Sequence, residues 1–80
     1  VEFSFNKNVA YKHNSYVIVK DASGKKYSTQ NSYVEWENDE CQVYLSKELD
    51  YGKDYQYEIV NVKAMGETSY TTLKGTFTAR

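Results

Sequence analysis

The sequence predicts an all-β domain built as an antiparallel sandwich or barrel. Three observations lead to this fold class. Apolar side chains recur at every second position, turn-forming residues stand where this alternation stops, and no ten-residue stretch has helical periodicity. The interruptions are about 8–12 residues apart, a spacing typical of short strands joined by hairpins and crossings.

The alternating runs define the strands in chain order. In the first run, Val1, Phe3 and Phe5 share one face, and polar residues occupy the other. The run 16–19 is apolar on both faces and β-branched, which indicates a more central or partly covered strand. Strands are predicted at 1–7, 15–20, 25–29, 33–38, 41–46, 54–63 and 71–79.

Turn chemistry separates these strands. Asp21 opens a reversal and Gly24 supplies a residue suited to the left-handed conformation, so a tight hairpin is expected there. A second short reversal falls at 38–40, a longer crossing at 49–54, and a further turn at 64–67.

Composition excludes several classes of protein. Eighty residues are enough for one small domain, and the net charge of -1 does not provide the basic excess that a nucleic-acid groove needs. No apolar run approaches the roughly 20 residues that span a bilayer, so membrane insertion is not expected. Because the sequence begins inside a predicted strand and has no proline, we expect residues 1–80 to be one module excised from a longer multi-domain chain.

One segment resembles a known structural corner. It has a leucine, a glycine and alternating aromatic and apolar residues at fixed spacing: Leu49-x-x-Gly52-x-x-Tyr55-x-Tyr57-x-Ile59. This pattern resembles the corner before the sixth strand of fibronectin type III and related Ig-like sandwiches. The resemblance implies that Tyr55 is the corner tyrosine, whose hydroxyl bonds back to the backbone of the crossing.

A wider series resembles the Ig-like modules repeated in bacterial surface-layer (S-layer) and cell-wall proteins. The matching pieces are an opening at 3–9, a hairpin at 21–24, the corner that starts at Leu49, a segment at 62–64 and an ending at 75–78. The resemblance implies an Ig-like sandwich of about six or seven strands. It also implies a spacer or adhesion role on an extracellular surface.

The sequence departs from those modules at its start. They carry a further strand before the Phe3-Ser4 segment, and here only Val1 and Glu2 precede it. Either the first strand has been cut off, or the domain is a reduced sandwich with an open edge. An open edge invites pairing with another chain.

Aromatic residues fall into an inward and an outward group. Those on inward phases are expected to form the core, with Trp36 at its centre: Phe3, Phe5, Trp36, Tyr55, Tyr57 and Phe77. Four others lie on an outward phase or beside loops, where they can stack on sugars or anchor a protein interface: Tyr11, Tyr44, Tyr51 and Tyr70. The alternative is that these four rings cover the ends of a thin core.

Candidates for catalysis and metal binding are few. His13 falls in a predicted loop, whereas Cys41 falls on an inward face, where a structural thiol is expected rather than a nucleophile. Glu35 and Glu37 are expected to be solvated. The oxygen donors at 38–40 lack the spacing of a calcium loop. We therefore expect no enzyme activity, metal site or cofactor.

The leading interpretation is a non-catalytic Ig-like spacer or adhesion module of a secreted or cell-surface bacterial protein, located in the cell wall or S-layer. Its expected partners are the neighbouring domains of the same chain. One alternative is a carbohydrate-binding module for cell-wall or extracellular polysaccharide, which requires at least two of the four candidate tyrosines to be coplanar and exposed on one surface. Another is an assembly domain that pairs with another protein through an edge strand.

Overall fold

The alternating pattern forms strands and no helix in the computed structural model, which describes residues 1–80. The prediction of an all-β fold is confirmed. The six strands are β1 (Glu2–Ser4), β2 (Val9–Asp21), β3 (Val34–Trp36), β4 (Glu40–Val43), β5 (Asp54–Ala64) and β6 (Thr71–Thr78). The structure contains no helix that could cross a membrane.

The strands form two antiparallel three-stranded sheets, as expected for a small sandwich. One sheet has the order β1-β4-β3 and the other has the order β2-β5-β6. The strands of the second sheet are much longer, with β5 in the centre. The small sheet therefore covers only part of the large one.

The centre of the core is made of small and β-branched side chains. On the large sheet it is formed mainly by Val17 and Val19 of β2 together with Ile59 of β5, and the small sheet contributes Cys41 and Val43. All five are almost completely buried. Such side chains fill the thin space between two short sheets without leaving voids.

All six residues of the expected aromatic core belong to the core or pack against it, but only one of them is fully buried. Tyr55 is fully buried, whereas the other five predicted residues are partly buried and pack around the core: Phe3, Phe5, Trp36, Tyr57 and Phe77. The prediction that Trp36 forms the centre is wrong. Trp36 ends the short edge strand β3, where its ring stacks on Tyr11 with centroids 5.1 Å apart and planes 11° apart.

The strand predicted at 25–29 does not form, although its residues do lie along the edge of β2. A single bridge joins Lys26 to Lys20, and the Tyr27 amide donates to the Val19 carbonyl at 2.7 Å. Beyond Tyr27 the Ser28 side chain replaces the backbone. Its hydroxyl accepts from the Val19 amide and donates to the carbonyl of Val17, each at 2.8 Å.

Strand β2 begins earlier than the sequence predicts. The residues expected to form a loop, including Tyr11 and His13, belong to the strand. The register between β2 and β5 shifts between Tyr11 and Tyr16, and there the Ser15 hydroxyl donates to the Asn61 carbonyl. This irregularity accommodates the polar residues without ending the strand.

The tight turn predicted after β2 is present, although the second arm of the expected hairpin is reduced to the Lys20–Lys26 bridge. Gly24 has a φ of 90°, and its amide donates to the Asp21 carbonyl at 3.0 Å. The Asp21 carboxylate accepts from the Ser23 hydroxyl at 2.7 Å and from the amides of Ser23 and Lys25 at 3.0 Å each. These bonds, the Ser23 hydroxyl above all, lower the pKa of Asp21.

Candidate functional site

Two of the four candidate tyrosines line one cleft. Tyr44 follows β4, and Tyr51 lies in the crossing before β5. Between them the cleft is lined by apolar side chains that include Leu45, Leu49 and Phe77. Its volume is about 1090 Å³, and it is open to solvent. Two exposed aromatic rings beside a mixed polar and apolar lining are able to contact a ligand with both polar and apolar faces.

Tyr44 is held in place by its neighbours. Its hydroxyl donates to the Glu35 carboxylate, and this bond is the main cause of its raised pKa. The Tyr33 ring lies 5.4 Å from the Tyr44 ring at an angle of 51°. Tyr51 is less constrained, since 85% of its surface is exposed, against 51% for Tyr44. One ring of the cleft is therefore oriented and the other is free to adapt.

The other two candidates lie elsewhere. Tyr11 is half-exposed and stacks on Trp36. Tyr70 is half-buried, with the Lys12 and Lys63 ammonium groups 4.3 and 5.0 Å from its ring centroid. Neither lines the cleft. The structure thus brings together only half of the expected tyrosine group.

Sequence reasoning missed Tyr33. It lies just before β3, its carbonyl accepts from the Tyr44 amide at 3.0 Å, and its ring is 65% exposed. The sequence did contain a signal for Tyr33, because strand alternation places residues 33, 35 and 37 on the same face of the predicted strand. Glu35, on that phase, is the residue that binds the Tyr44 hydroxyl.

The corner beneath Tyr51 has the geometry that the sequence predicts. The Tyr55 hydroxyl accepts a hydrogen bond from the Asp50 amide at 2.8 Å. Gly52 has a φ of 81°, and its amide donates to the Ala79 carbonyl at 2.8 Å. These bonds attach the crossing to the ends of β5 and β6 and so fix one wall of the cleft.

Replacing Tyr55 with phenylalanine tests this corner. The Tyr55→Phe variant keeps the buried ring but leaves the Asp50 amide without its partner. We expect the free energy of unfolding to fall by about 1–2 kcal/mol. Urea unfolding of wild type and variant measures this change, and Tyr70→Phe is the control, since no hydrogen bond of the Tyr70 hydroxyl would be lost. Equal stability of Tyr55→Phe and wild type would contradict a structural role for the bond.

Groups that could perform chemistry are not gathered in the cleft. Cys41 is completely buried, and burial raises the pKa of its thiol to about 11. His13 is exposed on β2. The pKa of Glu40 is raised, chiefly by the charge of Glu2, because both belong to an acidic group on the small sheet. No group of three histidine, cysteine, aspartate or glutamate residues is arranged to hold a metal ion.

Comparison with known proteins gives no family for this chain. No protein-family model, no curated protein and no solved structure matches it. The functional proposals below therefore depend on the geometry of the chain itself.

Proposed function

We propose that this domain is a non-catalytic Ig-like structural and adhesion module of a secreted or cell-surface bacterial protein. The observation that carries the proposal is the strand order. In a constant-type Ig sandwich one sheet has the order A-B-E-D and the other has C-F-G. The sheets β1-β4-β3 and β2-β5-β6 correspond to B-E-D and C-F-G. Strand A alone has no counterpart.

The corner supports the same assignment. In Ig-like sandwiches a tyrosine near the start of strand F bonds back to the backbone a few residues upstream. Tyr55 is the second residue of β5, the strand that corresponds to F, and its hydroxyl binds the Asp50 amide. The strand order and the Tyr55 hydrogen bond therefore both support the assignment of β5 as strand F.

The way the sandwich is held together supports a structural role. Backbone pairing within each sheet is combined with a core of buried, mostly apolar side chains between the sheets. Such a unit positions the domains next to it in the chain, which we propose as its principal partners. The buried thiol of Cys41, with its high pKa, also suits a structural rather than a nucleophilic role.

Carbohydrate binding is the second candidate function, favoured by the cleft that Tyr44 and Tyr51 share. Aromatic rings provide apolar faces against which the faces of a sugar ring pack, and hydroxyl and carboxylate groups beside them bind sugar hydroxyls. Tyr44 and Tyr51 supply rings of this kind, and Gln42, Lys47 and Glu48, which line the same cleft, supply polar groups for sugar hydroxyls. Cell-wall or extracellular polysaccharide is the ligand class proposed for this function.

One experiment separates the two functions. The isolated domain is screened on a glycan array and in pulldowns with bacterial cell-wall polysaccharide, beside a Tyr44→Ala/Tyr51→Ala variant. A Tyr70→Ala variant, which removes a tyrosine outside the cleft, is the matched control. Circular dichroism establishes that each variant is folded.

The structural proposal predicts no saturable glycan binding by any of the three proteins. It also predicts the same cooperative thermal unfolding whether the domain is isolated or fused between two folded carrier domains. Saturable binding that the double variant loses and Tyr70→Ala retains would replace it with the carbohydrate-binding function. Loss of cooperative unfolding in the isolated domain would show that it is not an independent structural unit.

A further inference from the structure

The edge formed by β6 is a long, regular strand edge that the domain leaves uncovered. The free edge of β2 is occupied near its end by the segment 25–28, and its earlier part contains the irregularity between Tyr11 and Tyr16. Strands β1 and β3, at the edges of the small sheet, have only three residues each. In contrast, β6 has eight residues and pairs with β5 on one side only. Long uncovered edges are where further strands pair.

The backbone groups at this edge can be assigned from the register. The Ala79 amide donates to the Lys53 carbonyl at 2.9 Å. Because backbone groups alternate in direction along a strand, the amides and carbonyls of Phe77, Gly75 and Leu73 also point towards β5. The intervening residues direct their amides and carbonyls to the free edge. These residues are Thr72, Lys74, Thr76 and Thr78.

The side chains of β6 do little to block pairing. Proline is absent, and Lys74 is the single charged residue of the strand. Leu73, which pairs with the buried Ile59, is 38% exposed. A threonine-rich strand with an uncovered apolar side chain is well suited to pair with another strand.

We propose that two copies of the chain pair through their β6 edges, antiparallel and around a two-fold axis, with Gly75 opposite Gly75 of the second copy. The two sheets β2-β5-β6 then join into one six-stranded sheet. In this register Lys74 faces Thr76, and Thr72 faces Thr78, as hydrogen-bonded pairs. Leu73 faces Phe77 in the non-hydrogen-bonded position, where side chains approach most closely.

This register is more favourable than the two neighbouring registers, in which the partner strand is shifted by two residues in either direction. Moving the partner strand by two residues in one direction places Lys74 opposite Lys74, and like charges directly opposite are destabilising. Moving it by two residues in the other direction places Leu73 opposite Ala79 and leaves Phe77 without an apolar partner. The proposed register alone combines threonine pairs, separated lysines and two Leu73–Phe77 contacts.

The glycine at the two-fold axis fits both neighbours. A Cβ atom at position 75 would lie 2.6 Å from the Tyr57 hydroxyl oxygen, so any larger residue would force the Tyr57 ring to move. The same absence of a side chain lets the two strands approach closely at the axis.

Substitutions at Thr76 test both the interface and its register. Thr76→Lys places two pairs of lysines opposite each other, whereas Thr76→Glu places a carboxylate opposite each Lys74. Thr76 is exposed, so both variants are expected to fold. Gln30→Lys and Gln30→Glu, at an exposed position outside the strands, carry the same charge changes as controls. Sedimentation velocity over a wide concentration range measures the dimer, and amide hydrogen exchange locates it.

We expect wild type to dimerise with concentration. The Thr76→Lys variant should weaken the dimer about two- to thirtyfold and Thr76→Glu should strengthen it by a similar factor, with no change in the Gln30 variants. Concentration-dependent protection should appear at the amides of Thr72, Lys74, Thr76 and Thr78. Monomeric wild type at every concentration, equal effects of both Thr76 variants, or protection at another edge would overturn the proposal.

Discussion

The Ser28→Ala variant should unfold at a much lower temperature than the wild-type domain. The Ser28 hydroxyl accepts a hydrogen bond from the Val19 amide and donates one to the Val17 carbonyl. The serine is almost fully buried, with a relative exposure of 1%. Alanine leaves both backbone groups buried without a partner, at about 1–3 kcal/mol each. We expect a total loss of about 2–6 kcal/mol, which lowers the midpoint of thermal unfolding by at least roughly 10 °C.

The control for this variant is Ser32→Ala. The Ser32 hydroxyl also accepts from a backbone amide, that of Thr29, but the residue is not fully buried, so water replaces the lost bond. We expect a change within about 0.5 kcal/mol. Calorimetry of both variants measures the contrast. A Ser28→Ala domain as stable as Ser32→Ala would show that the segment 25–28 is not fastened to β2 by this hydroxyl.

The position of Ser28 also explains one limit of the sequence prediction. The segment 25–29 has the composition of a strand and lies where a strand is expected. A serine hydroxyl, however, competes with the backbone for hydrogen bonds, and here it replaces the ladder after a single bridge. Side-chain geometry of this kind leaves no trace in an alternating pattern.

The reverse error occurs at the start of β2. Polar residues around His13 interrupt the alternation and indicate a loop, yet the strand continues because its partner β5 is long enough to pair across the interruption. Pairing with a distant segment decides the outcome there. The corner at Tyr55 was predictable for the opposite reason, since the turn, the tyrosine and the bond to Asp50 lie within a few residues of one another.

The candidate site was predictable only in part. The outward phase of Tyr44 and the loop position of Tyr51 are visible in the sequence, but their meeting in one cleft depends on how the segment between β4 and β5 folds, because much of the cleft lining comes from it. That segment forms no strand, so an alternating pattern does not describe its path. Tyr11 lies outside the cleft because the extended β2 places it in the large sheet. Tyr70 lies just before β6, where its ring contacts Lys12 and Lys63.

Cys41 should make the stability of the domain fall steeply in alkaline solution. Burial raises the pKa of its thiol from 9.0 to about 11 in the folded state. Below pH 9 the thiol is protonated whether the chain is folded or not, so its full contribution is present. Between pH 9 and about 11 the unfolded chain loses this proton more readily than the folded domain does, and the free energy of unfolding declines by about 2 kcal/mol.

A Cys41→Ala variant isolates this contribution from the tyrosines, which also ionise in alkali. The small cavity left by alanine destabilises the variant at neutral pH, but the variant has no thiol to ionise. The difference in unfolding free energy between the two proteins should therefore shift by about 2 kcal/mol in favour of Cys41→Ala between neutral pH and pH 11. Urea unfolding at a series of pH values measures it. Parallel stability curves would contradict the prediction, because they would mean that the thiol ionises as readily in the folded domain as in the unfolded chain. Such an accessible thiol would also react with a disulfide reagent before the domain unfolds.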